Sequence, residues 1–287
     1  RDSFLGLDIR GFGASILQKF RRIFHFSSFK KYGFTLAEVL ITLGVVGVIA
    51  AMTIPTVVTN YQKTMNVQRL KQTYSQLQQA MRMVSNDFGG GGLNDWDCPN
   101  AEYYKSYGQS RCVYLIFEKI ANAKIYPKVE DKKKVMCHIP GKDYPEYTYV
   151  NGGKIADNGH VFCTHGASAS LPNGACVGWN ALYWCAEAGA SFVIDVNGSY
   201  NGPNRMGRDV FLFTYGRTND QVNPIPGSGL SLYPRGYSIN SNGVISPPDN
   251  RNHLKDAWQG CNKNQEGNYC TGLLVYDGWK ISSDYPW

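Results

Sequence analysis

The carboxylate of Glu38 is the group in this sequence whose position most needs a chemical explanation. It lies near the start of the segment KKYGFTLAEVLITLGVVGVIAAMTIP, residues 30–55, and the 24 residues from Val39 to Gln62 carry no formal charge. About 20 apolar residues suffice for a helix that spans a bilayer. A carboxylate at the centre of such a helix costs about 2.5–3.5 kcal/mol, and less near its end. The segment is therefore a candidate membrane helix, and the presence of Glu38 near its start needs an explanation.

Two ordinary interpretations give Glu38 no role. One is a plain membrane anchor in which the acid is accidental. The other is a signal peptide with a basic n-region, an apolar h-region from Val39, and cleavage before Ala51, after the small-residue site at 48–50. That cleavage would discard Glu38 and leave the amphipathic segment that follows with nothing ahead of it.

Basic residues concentrate ahead of the apolar segment. Residues 1–33 hold seven Lys or Arg against two Asp, a net of +5 from a total of +7, so +2 remains for the other 254 residues. The positive-inside rule expects such a bias on the cytoplasmic side of a membrane helix. The charge therefore predicts orientation, and no nucleic-acid partner is expected. The basic stretch suits a targeting leader better than a folded domain.

Cysteines occur beyond the apolar segment, on what would be the exported side. An even number there predicts disulfides formed in an oxidising compartment, among Cys98, Cys112, Cys137, Cys163, Cys176, Cys185, Cys261 and Cys270. Eight cysteines allow about 105 pairings, of which short-range closures, Cys98 with Cys112 and Cys261 with Cys270, are preferred. A local metal site is the alternative, at His160, Cys163 and His165.

A second group of possible metal ligands lies in the segment DVNGSYNGPNRMGRD. Oxygen-bearing side chains alternate along it, and a carboxylate follows a glycine-rich turn, at Asp195, Asn197, Ser199, Asn201 and Asp209. Calcium prefers such ligands. The glutamate that closes an EF-hand loop is missing, and Asn and Gly also suit any turn. Calcium and a plain turn both stay open.

Glu38 lies near the start of a long predicted helix. After Pro55, apolar or aromatic residues recur at spacings of three and four, which predicts one face of a helix, at Leu70, Tyr74, Leu77, Met81, Val84 and Phe88. Proline should kink or loosen the helix, and the glycines at 89–92 should end it. The pattern predicts one helix over 34–88, about 80 Å long at 1.5 Å per residue.

The remaining sequence predicts short strands between long loops. The segments with strand character are 113–117, 147–150, 191–196, 210–215 and 273–281. The third and fourth read as an antiparallel hairpin with a long turn. The last contains a turn signal at Asp277-Gly278. The aromatics that follow this turn are expected to fill the core, at Trp279, Tyr285 and Trp287. The amphipathic half of the helix should cover this sheet.

The order of Gly33, Phe34, Glu38, an apolar run and Pro55 closely resembles the processing segment of type IV pilins and of type II secretion pseudopilins. The resemblance covers residues 30 to about 88. It implies that a prepilin peptidase cuts between Gly33 and Phe34 and methylates the new amine of Phe34. The chain would then be a substrate and not an enzyme; no catalytic residues, metal or cofactor are expected.

The resemblance also implies an assembly role for the helix. Glu38 would pair with the Phe34 amine of a neighbouring subunit, because an opposite charge makes a carboxylate tolerable in apolar surroundings. Pro55 would be a soft point during extraction from the membrane. The expected partners are the peptidase, other pilin or pseudopilin subunits and an inner-membrane assembly platform.

The family fold is α+β and ladle-shaped, with a long helix packed on a small antiparallel sheet and, here, disulfide-stapled loops. The expected organisation is a leader at 1–33, the helix at 34–88 with a membrane span near 36–59, a glycine linker at 89–92 and an exported domain at 93–287. A mature chain of 254 residues with eight cysteines is larger than a typical pseudopilin. This leaves a low-copy minor pilin or adhesin as the alternative to a main filament subunit.

Overall fold

The computed structural model describes residues 33–90, 113–126, 136–137, 139, 141–143, 145–155, 168–180, 191–215, 232–240 and 244–287. The chain divides into two compact units, residues 1–57 and 58–287. Several predictions lie outside the described residues: the leader ahead of Gly33, the end of the glycine stretch, the Cys98–Cys112 disulfide and the metal site at 160–165.

Helix α1, Leu36–Asp87, is 52 residues long, and its end confirms the predicted glycine stop. Gly89 and Gly90 have positive φ angles of 72° and 105°. The Gly89 N–H donates to the Asn86 carbonyl and the Gly90 N–H to the Ser85 carbonyl, at 3.1 and 2.7 Å. This pair of bonds is a Schellman motif, which satisfies carbonyls at the helix end.

Within the second unit, the predicted stripe of α1 is buried. Leu70, Leu77, Met81 and Val84 are at most 1% exposed. Tyr74 is half-buried and packs against the core. Phe88 departs from the prediction, since it lies beyond the last helical residue and is 36% exposed.

The second unit contains a six-stranded sheet in which every neighbouring pair is antiparallel and the spatial order follows the chain. Its strands are β1 Lys124–Tyr126, β2 Ser168–Ser170, β3 Cys176–Asn180, β4 Ser191–Asp195, β5 Val210–Tyr215 and β6 Leu232–Pro234. A separate pair joins β7 Ser238–Ile239 to β8 Ile245–Ser246. The short helices are α2 Val113–Glu118, α3 His253–Asp256 and α4 Cys270–Tyr276.

Helices α1 and α2 cover one face of the sheet. Trp179, Phe192 and Phe213 lie side by side on three successive strands. The ring of Tyr74 stacks on Phe213 at 5.0 Å between centroids, and Phe117 of α2 meets Phe192 edge-on at 6.3 Å. Aromatic pairs at such separations add to the burial energy of their rings.

Polar side chains of α1 fix its position on the sheet. The Tyr74 hydroxyl and Gln78 Nε2 both donate to the carbonyl of Leu232 in the edge strand β6, at 3.1 and 2.9 Å. Asn66 Nδ2 donates to the Arg208 carbonyl at 2.9 Å. Because an uncovered sheet edge invites pairing with other chains, the two bonds to Leu232 also help to protect β6.

Helix α4 packs on β5, and Thr271 Oγ1 accepts a hydrogen bond from the Leu212 N–H at 2.9 Å.

Two disulfides occur among the described cysteines. Cys261–Cys270, nine residues apart, confirms the preferred short closure, and Cys137–Cys176 joins residues 39 apart.

The predicted hairpin is confirmed: β4 and β5 pair antiparallel from Ser191 with Thr214 to Asp195 with Val210. The strand predicted at 113–117 is wrong, because these residues form α2. The strand predicted at 273–281 is also wrong, because its first residues belong to α4. Both are short apolar runs, which periodicity cannot assign to a strand or a buried helix. The segment 147–150 forms only isolated bridges at Thr148.

The final described segment is fastened by charge and by aromatic packing. Arg251 donates to Asp277 through Nε and Nη2, at 2.6 and 2.5 Å, and to Asp284 through Nη1 at 2.9 Å. These hydrogen bonds hold the pKa of both carboxyl groups below the usual range. Tyr285 is 5% exposed and Trp279 packs on the core. The expectation that these aromatics fill the core is thus confirmed for Tyr285, whereas Trp279 and Trp287 are half-buried.

Replacing Leu77 tests the dependence of the second unit on α1. Leu77→Ala removes a fully buried side chain and should lower the free energy of unfolding by about 2–5 kcal/mol. Gln79→Ala, at an exposed position of the same helix, is the matched control and should change it by less than about 0.5 kcal/mol. Urea unfolding of the full chain in detergent micelles, followed by near-UV circular dichroism, measures both. Equal effects of the two changes would contradict this packing.

Candidate processing and assembly site

The start of α1 is built by a reciprocal pair of hydrogen bonds between Thr35 and Glu38. The Thr35 N–H donates to Glu38 Oε2 at 2.8 Å, and the Glu38 N–H donates to Thr35 Oγ1 at 3.2 Å. The Thr35 hydroxyl also donates to Glu38 Oε2, at 2.9 Å. This arrangement is a capping box, in which the residue before the helix and the third helical residue satisfy each other's N–H groups.

Gly33 and Phe34 precede this cap and are exposed; Phe34 is 85% exposed. A Cβ atom built on Gly33 meets no atom within 4 Å. The peptide bond between these residues is therefore accessible, and the chain itself does not require glycine at position 33.

Apart from Ala50, residues 36–57 of α1 are exposed, and they include large apolar side chains, such as Leu40, Ile41 and Val46. Among the described helices, α1 is long and apolar enough to cross a membrane. A contiguous apolar surface of this size is typical of contact with lipid or with another protein. Glu38 is the acidic residue in the first turn of this segment.

Pro55 lies inside α1, which continues through it. Proline has no N–H to donate to the carbonyl four residues before it, and the Thr53 hydroxyl bonds the nearby Ile49 carbonyl at 2.9 Å. A Cβ on Gly44 or Gly47 would meet no atom within 4 Å. These glycines thin the exposed surface of the helix, as small residues do where helices approach closely in membranes. The predicted kink at Pro55 stays a prediction.

Comparison with protein families gives two matches that divide the chain at this helix. Residues 28–54 match the prokaryotic N-terminal methylation motif. Residues 56–287 match a family described as a family of unknown function (DUF6613). The chain belongs to this DUF6613 family. No curated protein and no solved structure matches the chain.

The methylation motif supports a type IV pilin-like or pseudopilin subunit. It spans Gly33, Phe34 and Glu38, and ends just before Pro55. The resemblance inferred from these residues is thus confirmed, and the α+β fold of a long helix packed on an antiparallel sheet agrees with it. Thr35 was missed by the sequence reasoning, although Thr-x-x-Glu before an apolar run is a recognisable capping signal.

In the DUF6613 region, the segment from Asp195 to Asp209 closes the turn between β4 and β5 around two buried carboxylates. Asp195 accepts from the Tyr147 hydroxyl and the Asn197 N–H, at 3.0 and 3.3 Å. Asp209 accepts from the N–H groups of Asn204 and Arg205, at 2.9 and 2.6 Å. Both carboxylates therefore organise the loop backbone.

The calcium interpretation of this loop stays a prediction. Ser199 Oγ donates to the Met136 carbonyl, and Asn201 Nδ2 donates to the Asn197 carbonyl, at 2.9 and 2.7 Å. Among the described residues, no three or more His, Cys, Asp or Glu side chains cluster together. In the same part of the chain, Asn197 Oδ1 and Asn204 Oδ1 are buried without a hydrogen-bond partner, so oxygen atoms that a cation could use remain.

Burial, and then the negative charge of Asp209, raises the pKa of Asp195 to about 7. Burial raises the pKa of Asp209 as well. A buried carboxyl group that lies near another one favours its neutral form. The native chain therefore binds more protons than the unfolded chain between the ordinary pKa of an aspartate and about 7.

This difference predicts that Asp195 contributes a loss of stability as the pH rises from 5 to 7, of at most about 1 kcal/mol per pH unit. Asp195→Asn cannot ionise and should flatten the slope, whereas Asp249→Asn, at an exposed position, should keep it. Thermal unfolding across this range measures the slope. A slope in Asp195→Asn that equals that of the unaltered chain would refute the assignment.

Proposed function

We propose that the chain is a structural subunit of a type IV pilus or a type II secretion pseudopilus. It is made as a bitopic inner-membrane precursor with residues 58–287 outside the cytoplasm. A prepilin peptidase cuts after Gly33 and methylates the amine of Phe34. The methylation motif at 28–54 is the observation that carries this proposal. The accessible Gly33–Phe34 junction ahead of a capped helix agrees with it.

Assembly uses α1 and the other subunits of the filament, on an inner-membrane platform. Cleavage creates a cationic amine at Phe34, and Glu38 of an incoming subunit pairs with that amine of its neighbour. Both hydrogen bonds from Thr35 go to Glu38 Oε2, so the other oxygen, Oε1, can accept a hydrogen bond from the amine. An ion pair offsets part of the cost of placing either charge in apolar surroundings. The exposed apolar residues of α1 then pack against equivalent helices.

A second candidate function is a low-copy minor subunit that binds a ligand through the DUF6613 region. A cavity of about 420 Å³ in that region favours it, because its lining includes three tyrosines and an arginine. Abundance separates the two candidates: a main subunit dominates sheared filaments, whereas a minor subunit is scarce in them.

Replacing Gly33 tests the processing step. Gly33→Trp should abolish cleavage, because a bulky side chain would not fit a peptidase site shaped for glycine, and the chain's own structure tolerates a side chain there. Gly33→Ala is the smaller matched change and should retain more cleavage. N-terminal mass spectrometry of the membrane-associated protein is the measurement. The unaltered chain should begin with N-methyl-Phe34, and a start at Ala51 would overturn the proposal.

Replacing Glu38 tests the assembly step. Glu38→Ala removes both the charge and the helix cap, whereas Glu38→Gln removes the charge and can still cap, since Gln also serves in a capping box. Both variants should be cleaved and methylated, yet fail to enter filaments. Glu118→Gln, at an exposed position in α2, is the control. The amount of each variant in sheared filaments is measured, and normal incorporation of Glu38→Gln would refute charge pairing.

A further inference from the structure

The cavity in the DUF6613 region lies at the end of the six-stranded sheet, beside its edge strand. Thr214 of β5 and Tyr233 of β6 are paired residues and therefore lie on the same face. The chain then turns through Gly236 to Tyr237, whose N–H bonds the Pro234 carbonyl at 3.1 Å. The other side is formed by α3 and the segment that precedes α4. The polar and aromatic side chains of the wall include Thr214, Tyr233, Arg235, Tyr237, His253 and Tyr269.

The walls are held in place by the fold. Gly236 has a φ of +97°, and a Cβ atom there would lie 2.6 Å from Leu254 Cδ2 and 3.2 Å from Tyr269 Cγ. Only glycine therefore allows this approach of the turn to α3. The rings of His253 and Tyr269 stack with their centroids 6.0 Å apart. The Tyr269 N–H donates to the backbone carbonyl of the buried Gln259 at 3.0 Å. The cavity is thus largely preformed, as small-molecule sites usually are.

The chemistry of the walls selects a class of ligand. The half-buried rings of Tyr237 and Tyr269 offer flat apolar faces, whereas Tyr233 is 5% exposed and lies at the base of the wall. The hydroxyls of Tyr237, Tyr269 and Thr214 can donate or accept hydrogen bonds. Arg235 supplies a planar cationic group suited to a carboxylate. Its Nη2 donates to the uncharged Gln259 side chain at 3.4 Å, and the residues that line the cavity include no Asp or Glu. A ligand that matches these walls has an apolar ring face, several hydroxyls and one negative charge.

We propose that this cavity binds an acidic saccharide, with a sugar ring against Tyr237 and Tyr269 and its carboxylate toward Arg235. The volume of about 420 Å³ lies at the small end of the range for ligand pockets, roughly 300–1,000 Å³, which suits a mono- or disaccharide unit. The proposal rests on the second candidate function and is independent of peptidase processing and filament assembly.

The experiment uses the full chain in detergent micelles and measures binding by calorimetry. The probes are disaccharides of galacturonate, glucuronate and mannuronate together with N-acetylneuraminate, each paired with its neutral counterpart. At least one acidic probe should bind saturably and more tightly than its neutral counterpart. Failure of every acidic probe, or equal binding of the neutral ones, overturns the proposal and leaves the processing and filament assays unaffected.

Three variants locate the binding. Arg235→Gln should weaken the acidic probe by about tenfold or more, the usual effect of losing a charge-assisted hydrogen bond, and should remove the preference over the neutral sugar. Ser238→Trp, at an exposed lining position, should block binding of both without disturbing the core. Lys263→Gln, at an exposed position that does not line the cavity, should bind normally. Unchanged binding in Ser238→Trp, with its thermal unfolding also unchanged, places the ligand elsewhere and refutes the site.

Discussion

The second unit depends on the packing of α1 against its six-stranded sheet. The strands of this sheet contain only three to six residues, and strands so short bury too little apolar surface to be stable without a covering layer. The α1 stripe centred on Leu77 provides that layer and excludes water from the aromatic row at Phe213. Because the Tyr74 and Gln78 side chains bond the edge strand directly, the same interface also fixes where the helix lies along the sheet.

The loops of the DUF6613 region are held by disulfides and by hydrogen bonds to buried carboxylates. These interactions help to stabilise a region with long connections between its strands. Disulfides reduce the conformational freedom of the unfolded loops, as Cys137–Cys176 and Cys261–Cys270 do here. Within the turn between β4 and β5, a buried carboxylate also collects backbone N–H groups, as Asp209 does. Buried polar groups are stable only with such partners. The Cys261–Cys270 disulfide also constrains the residue next to Tyr269, which lines the cavity.

Local patterns in the sequence predicted the parts of this fold that depend on local physics. The stripe from Leu70 to Val84, the glycine stop and the β4–β5 hairpin each follow from periodicity or turn chemistry within a few residues. Residues 113–117 and 273–281 were assigned to strands because short apolar runs carry no period. Cys137–Cys176 and the tyrosine cavity join residues far apart in sequence, so they depend on tertiary packing. In the methylation motif, the order of Gly33, Phe34 and Glu38 predicted the family resemblance, whereas the cap formed by Thr35 follows from the separate Thr-x-x-Glu signal.

The capping box lowers the cost of placing the Glu38 carboxylate in apolar surroundings. In apolar surroundings a carboxylate is costly mainly because water no longer donates hydrogen bonds to it. Thr35 replaces two of those bonds through its N–H and its hydroxyl, and the start of a helix favours a negative charge. The first turn of α1 therefore lowers the cost of Glu38 within a single chain but does not neutralise it. In the proposed assembly, this remaining charge favours pairing with the Phe34 amine of a neighbouring subunit, so Glu38 would be tolerable before assembly and would still promote it.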